Sequence, residues 1–145
     1  SVTSLDLDIR MFVRLLIAVV LGALVGYERE RAGKPAGVRT HGMVSLGAAL
    51  FAVVSLHGFA GAGDTARVAA QIVTGIGFIG AGAILHDRTR VHGLTTAASL
   101  WVTAAIGLAI GVGMVVVSVA TTLLVFVLLR FGPRPGLKRG QGCAE

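Results

Sequence analysis

The residues best equipped for chemistry in this sequence are a few polar clusters in an otherwise apolar chain. Glu28-Arg29-Glu30-Arg31 directly follows Tyr27 at the end of an apolar run. On a continuing helix, successive side chains point about 100° apart, so Glu28 and Arg29 face different neighbours, and one of them can turn inward. A carboxylate within about a turn of hydrocarbon is costly unless it meets a cation, a metal or a proton. A solvated charge pair at the interface is the plainer alternative. The stretch Lys34-Pro35-Ala36-Gly37-Val38-Arg39-Thr40-His41 then reads as an ordered loop entering a helix, with Arg39 or Thr40 near its start. Arg39 there opposes the helix dipole, which calls for a carboxylate or phosphate partner. Glu28, Glu30 and Asp87 are the carboxylates on that face. His41 suits a titrating or cation-ligating role, although a hydrogen-bonded structural histidine is the preferred reading.

A third cluster, His86-Asp87-Arg88-Thr89-Arg90-Val91-His92, leads into Gly93-Leu94-Thr95-Thr96. Asp87 paired with Glu28 would offer the hard oxygen ligands that Mg²⁺ accepts, which makes these two the candidate metal ligands and Mg²⁺ the candidate cofactor. Thr95 and Thr96 can cap the next helix or bond between helices, and Gln71, Thr74, Ser99 and Thr103 add further polar atoms. No HExxH, Walker A or nucleophile-elbow pattern accompanies them. The lone Cys143 excludes an internal disulfide and a cysteine-based zinc site. A non-enzymatic protein is expected.

The elements that must position these clusters are membrane helices. The 145 residues are 54% hydrophobic and 14% charged, with a mean hydropathy of +0.84, against roughly 45–50% apolar and about 25% charged in ordinary globular domains. Taking about 20 apolar residues per span, the sequence predicts helices over about Ile9–Tyr27, Val38–Phe59, Val68–Leu85, Leu94–Ile110 and Met114–Phe131. The last two split a long uncharged stretch at Gly111-Val112-Gly113, and Arg14 is expected to snorkel outward from the first. The expected fold is all-α, a polytopic bundle of five transmembrane helices over residues 1–131, followed by a basic tail over 132–145. Asp6 and Asp8 before the first apolar run are unlike a removable signal peptide.

The net charge of +6 is then a statement about topology rather than nucleic-acid binding, because the cations lie between spans. Arg29, Arg31, Lys34, Arg39, Arg88, Arg90, Arg130, Arg134, Lys138 and Arg139 fall on one side, so the N-terminus is expected outside and the C-terminus in the cytoplasm. A shift of 56 residues lays Gly26 on Gly82, Gly37 on Gly93 and Thr40 on Thr96, which admits two parallel helix hairpins plus a fifth helix. Small residues predict close helix packing: Gly22 with Gly26, Gly107 with Gly111, and Gly75, Gly77, Gly80 and Gly82 in the third span. A homodimer face is a further use for such surfaces.

Four motifs in order resemble the MgtC/SapB family of bacterial inner-membrane proteins. They are Gly26-Tyr27-Glu28-Arg29-Glu30; Ala36-Gly37-Val38-Arg39-Thr40-His41; Gly75-Ile76-Gly77-Phe78-Ile79-Gly80-Ala81-Gly82; and Val91-His92-Gly93-Leu94-Thr95-Thr96-Ala97-Ala98-Ser99-Leu100-Trp101 with Ala104-Ala105-Ile106-Gly107. The resemblance implies a membrane domain tied to magnesium limitation, survival in host cells, acid stress and control of membrane energetics, including restraint of the ATP synthase in some members. It does not imply magnesium pumping. By motif position it points to Glu28, Arg29, Arg39, Thr40, Asp87, Thr95 and Thr96 as the functional polar cluster. Many members carry a soluble cytoplasmic domain after the last helix, and regulation through it is expected to be absent here, either by nature or by truncation. The leading expectation is a regulator acting through contacts with another membrane protein, and the alternative is a small oligomeric cation channel or transporter.

Overall fold

A computed structural model of the chain describes residues 2–59, 64–87 and 90–132. The order is α1 (Val2–Arg31), α2 (Val38–His57), α3 (Ala66–Gly82), β1 (Leu85–Asp87), β2 (Arg90–His92), α4 (Leu94–Gly111) and α5 (Val115–Phe131). Five helices form an all-α bundle, as the apolar runs predict. The connection after α3 adds a detail that hydropathy does not show. It folds back as a short antiparallel hairpin pairing Leu85 with His92, His86 with Val91 and Asp87 with Arg90. The tail over 133–145 lies outside the described residues, as do Arg88 and Thr89.

Helix α1 is longer than its apolar segment at both ends. Its first turns carry Asp6 and Arg10, which are four apart in the favourable order for a helix surface pair. Helix formation thus outlasts hydrophobicity. The helix stops where Gly33 takes a left-handed φ of +68°. There the Gly33 N–H donates to Glu30 O at 2.9 Å and the Lys34 N–H to Arg29 O at 3.0 Å, the paired bonds of a glycine-terminated helix end. Helix α4 ends the same way at Gly113, φ +95°, with Met114 N–H donating to Ala109 O at 2.8 Å. This is the break expected between the last two spans.

Helices α1, α2 and α4 pack on one another as the centre of the bundle, α5 lies against α1 and α4, and α3 rests mainly on α4. The core joins Ala18, Leu21 and Val25 of α1 to Ala49, Ile106, Ile110 and Val125. Outside it, large apolar side chains such as Phe12, Phe78 and Leu128 are exposed all round, the reverse of a soluble surface. Helices α1, α2 and α4 are long and apolar enough to cross a membrane. Helices α3 and α5 are also apolar, at 17 residues each, a rise of about 25 Å that sits at the short end of the spanning range. The protein is a membrane protein.

The glycines divide into two sets. A Cβ added at Gly22 would lie 2.6 Å from His41 O, one at Gly26 2.7 Å from Val38 Cα, and one at Gly111 2.6 Å from Ala49 O. One at Gly107 would strike the Ser45 carbonyl. The glycine pairs of α1 and α4 therefore clasp α2 from two sides. In α3 only Gly80 approaches another helix, with Ala97 Cβ 3.7 Å from its added Cβ, whereas Gly75, Gly77 and Gly82 meet nothing within 4 Å. The expectation of close packing at those three is corrected: α3 touches its neighbours along one narrow face, Gly75 borders an open groove beside α2, and Gly77 and Gly82 look outward. Gly26 and Gly82, which the 56-residue shift superposes, thus sit in unlike surroundings.

Candidate functional site

The polar side chains gather where the end of α1 meets the starts of α2 and α4 and the end of α5. Glu28 and Arg29 are both 5% exposed. Their 100° separation on the helix sends them to different partners, so both are buried where the sequence required only one to be. The Arg29 guanidinium Nη2 donates to Thr96 Oγ1 of α4 at 2.7 Å. Glu28 turns the other way, and its Oε2 lies 3.7 Å from Arg130 Nη1 of α5. That separation is an ion pair without a hydrogen bond, and Oε2 has no hydrogen-bond partner. Arg29 Nε is likewise buried and unpartnered.

A second strand of the network runs through His41, which is fully buried. Its Nδ1 is 3.0 Å from Gly37 O, and its Nε2 is 3.0 Å from Ser99 Oγ. The Ser99 hydroxyl also lies 2.8 Å from Thr96 O, as donor to it, so histidine and arginine are tied to adjacent turns of α4. Thr96, Ser99 and Thr103 are all buried and follow the i, i+3, i+7 pattern of one helix face. Their spacing in the sequence is the signal that could have paired His41 with Ser99. Nothing comparable marks Arg130 as the partner of Glu28, because both sit in charged segments at helix ends.

The remaining candidates lie apart. Glu30 Oε2 accepts the Val38 N–H at 3.1 Å and so caps α2, whose own N-cap, Gly37, has no side chain. Arg39 is exposed and forms no ion pair among the described residues. Two of the three expected carboxylate partners are engaged elsewhere: Glu28 faces α5 and Glu30 serves the backbone of α2, while the side chain of the third, Asp87, lies outside the described residues. Thr40 is half-buried and faces a groove between α2 and α3. Thr95 is exposed, and α4 begins at Gly93 without a side-chain cap, so Thr96 bonds between helices rather than capping. The side chain of Asp87, proposed as a metal ligand with Glu28, lies outside the described residues. Among the described residues, no group of three His, Cys, Asp or Glu could hold a metal ion.

At the opposite end of the bundle, Arg14 Nη1 donates to Gly111 O at 3.2 Å. It was expected to snorkel outward; instead it neutralises the carbonyl end of α4, where a cation is favourable.

Residues 15–135 match the MgtC family. The chain is 45% identical to YhiD of Escherichia coli K12 over 124 residues, 81% of this chain and 58% of that protein. It is 44% identical to MgtC of Salmonella typhimurium LT2, covering 80% of this chain and 51% of that one. It is 43% identical to SrpB of Synechococcus elongatus, covering 70% and 63%. The match thus spans about half to three-fifths of these relatives. No solved structure matches.

Proposed function

The chain belongs to the MgtC family, and on that footing we propose that it is a non-enzymatic regulator in the bacterial inner membrane. It serves magnesium homeostasis and adaptation to stress or to life in a host, and it acts on membrane energetics through contacts with another membrane protein. YhiD, one of the relatives, is described provisionally as a magnesium transporter, which keeps a cation channel or transporter as the competing reading. One observation favours the regulator. The buried carboxylate that a cation pathway would use, Glu28, already faces a guanidinium, that of Arg130. A resident cation at that distance repels a passing Mg²⁺ rather than coordinating it.

The proposed orientation puts the Glu28 end of the bundle in the cytoplasm, following the loop cations. Two copies, or one copy and a partner such as the ATP synthase, would meet through exposed apolar helix faces. The test pairs growth with flux. In a strain lacking the gene and starved of magnesium, the intact protein restores growth and Glu28→Gln does not. In proteoliposomes under a Mg²⁺ gradient, the protein passes no ion. Flux that Glu28→Gln abolishes would establish transport and overturn the regulator.

A further inference from the structure

Helices α2 and α3 diverge, leaving a laterally open cavity of about 990 Å³ between them with Ala104 of α4 on its floor. We propose that this groove holds one phospholipid whose head group carries both a phosphate and a primary ammonium.

The polarity of the lining runs in the order of such an amphiphile. At one end are Asp64 and Arg67, followed one turn along the same face of α3 by Gln71 and then by Ile72, Gly75 and Ile79. Among the described residues, charged side chains line only that end, and at the other end the polar lining residue is Thr40. A transmembrane helix from a partner has two polar ends, whereas a phospholipid has one. The length agrees as well. Arg67 to Ile79 is a rise of about 18 Å, close to one leaflet of a hydrocarbon core about 30 Å thick.

The head-group site carries both charges, available separately. Asp64 and Arg67 are exposed and form no ion pair with each other. Asp64 Oδ1 accepts the Ala66 N–H at 2.9 Å, capping α3, and a carboxylate retains acceptor capacity beyond one such bond. The Arg67 guanidinium suits a phosphate, the Asp64 carboxylate an ammonium N–H, and the Gln71 amide an ester carbonyl. Ser55 Oγ donates to Thr65 O at 3.0 Å, which fixes this end of α3 to α2.

Gly47 and Gly75 keep the groove open. Both line it, and an added Cβ at either meets nothing within 4 Å. A side chain at Gly75 therefore starts into the groove without its Cβ meeting protein atoms, and a leucine there projects into the cavity.

Native mass spectrometry of the protein, offered equal amounts of phosphatidylethanolamine, phosphatidylglycerol and phosphatidylcholine with identical acyl chains, tests this. One phosphatidylethanolamine is retained preferentially, and Gly75→Leu removes it at unchanged thermal stability. Arg67→Gln weakens retention about tenfold, the worth of one charge-assisted hydrogen bond. Asp64→Asn, which preserves the cap, erases the preference for the ammonium head. Equal retention of the three lipids, or retention that survives both Gly75→Leu and Arg67→Gln, overturns the proposal. A dimer that Gly75→Leu dissociates overturns it by assigning the groove to a second copy. If Gly75→Leu fails to fold, the exposed Arg67 and Asp64 variants decide alone.

Discussion

Arg29 of α1 donates a 2.7 Å hydrogen bond to the hydroxyl of Thr96 in α4, with both residues at or below 5% exposure. The bond joins the end of α1 to the start of α4 beside the glycine contacts that hold α2 against these helices. A buried guanidinium that loses its acceptor is left with an unsatisfied charged N–H donor, so the two ends of this bond are unequal. Thr96→Val, which keeps the shape and removes the acceptor, is expected to destabilise by about 1–3 kcal/mol. Thr96→Ser should recover most of that. Unfolding midpoints in detergent check both; equal stability of the valine and serine variants would show that the hydroxyl contributes nothing.

The ion pair between Glu28 and Arg130 predicts a sign as well as a size. Arg130 has a side chain 39% exposed while that of Glu28 is 7% exposed, so water screens one partner and not the other. Arg130→Gln leaves a buried carboxylate without its cation and is expected to cost about 1–2 kcal/mol. Adding Glu28→Gln to that variant should restore stability, since the unmatched charge is gone. A double-mutant cycle measures the coupling, and strictly additive effects would mean that the two charges do not interact.

These two contacts show how far sequence reaches. The spans and the glycine-terminated end at Gly113 were legible because hydropathy and turn chemistry are local, whereas the end of α1 at Gly33, past its apolar run, was not. That Glu28 and Arg29 must point apart was legible too, from helix periodicity. Which neighbour each would meet was not, because a partner depends on how α1 is rotated about its axis against α4 and α5. Close packing separates Gly22 from Gly75, yet both read simply as glycine in an apolar helix. Neighbouring backbone makes the difference: His41 O lies 2.6 Å from a Cβ added at Gly22, and nothing lies within 4 Å of one added at Gly75.

That contrast gives a third prediction. Gly107→Ala places a methyl against the Ser45 backbone, which cannot yield without separating α2 from α4. A loss of about 1–3 kcal/mol, as for overpacked cores, is expected. Gly77→Ala and Gly82→Ala meet open space and gain helix propensity, so each should be neutral or stabilising by up to about 1 kcal/mol. Thermal unfolding of the three variants side by side checks the ordering. Destabilisation by Gly77→Ala comparable to that by Gly107→Ala would mean that the Gly77 face of α3 is packed against another helix.

His41 supplies the last. Its two ring nitrogens bond to Gly37 O and Ser99 Oγ, so it joins the entry of α2 to the same turns of α4 that hold Arg29. Ser99→Ala removes the partner of Nε2 inside a buried site and is expected to cost about 1–2 kcal/mol, the penalty of an unsatisfied polar group. His41→Asn keeps an amide near the Gly37 carbonyl but cannot span to Ser99, so it should cost at least as much, and adding Ser99→Ala to it should cost little more. Removing the serine hydroxyl is thus damaging when the imidazole is present and nearly silent when it is absent. That non-additivity, read from unfolding midpoints of the single and double variants, separates a specific His41–Ser99 bond from two residues that merely fill space.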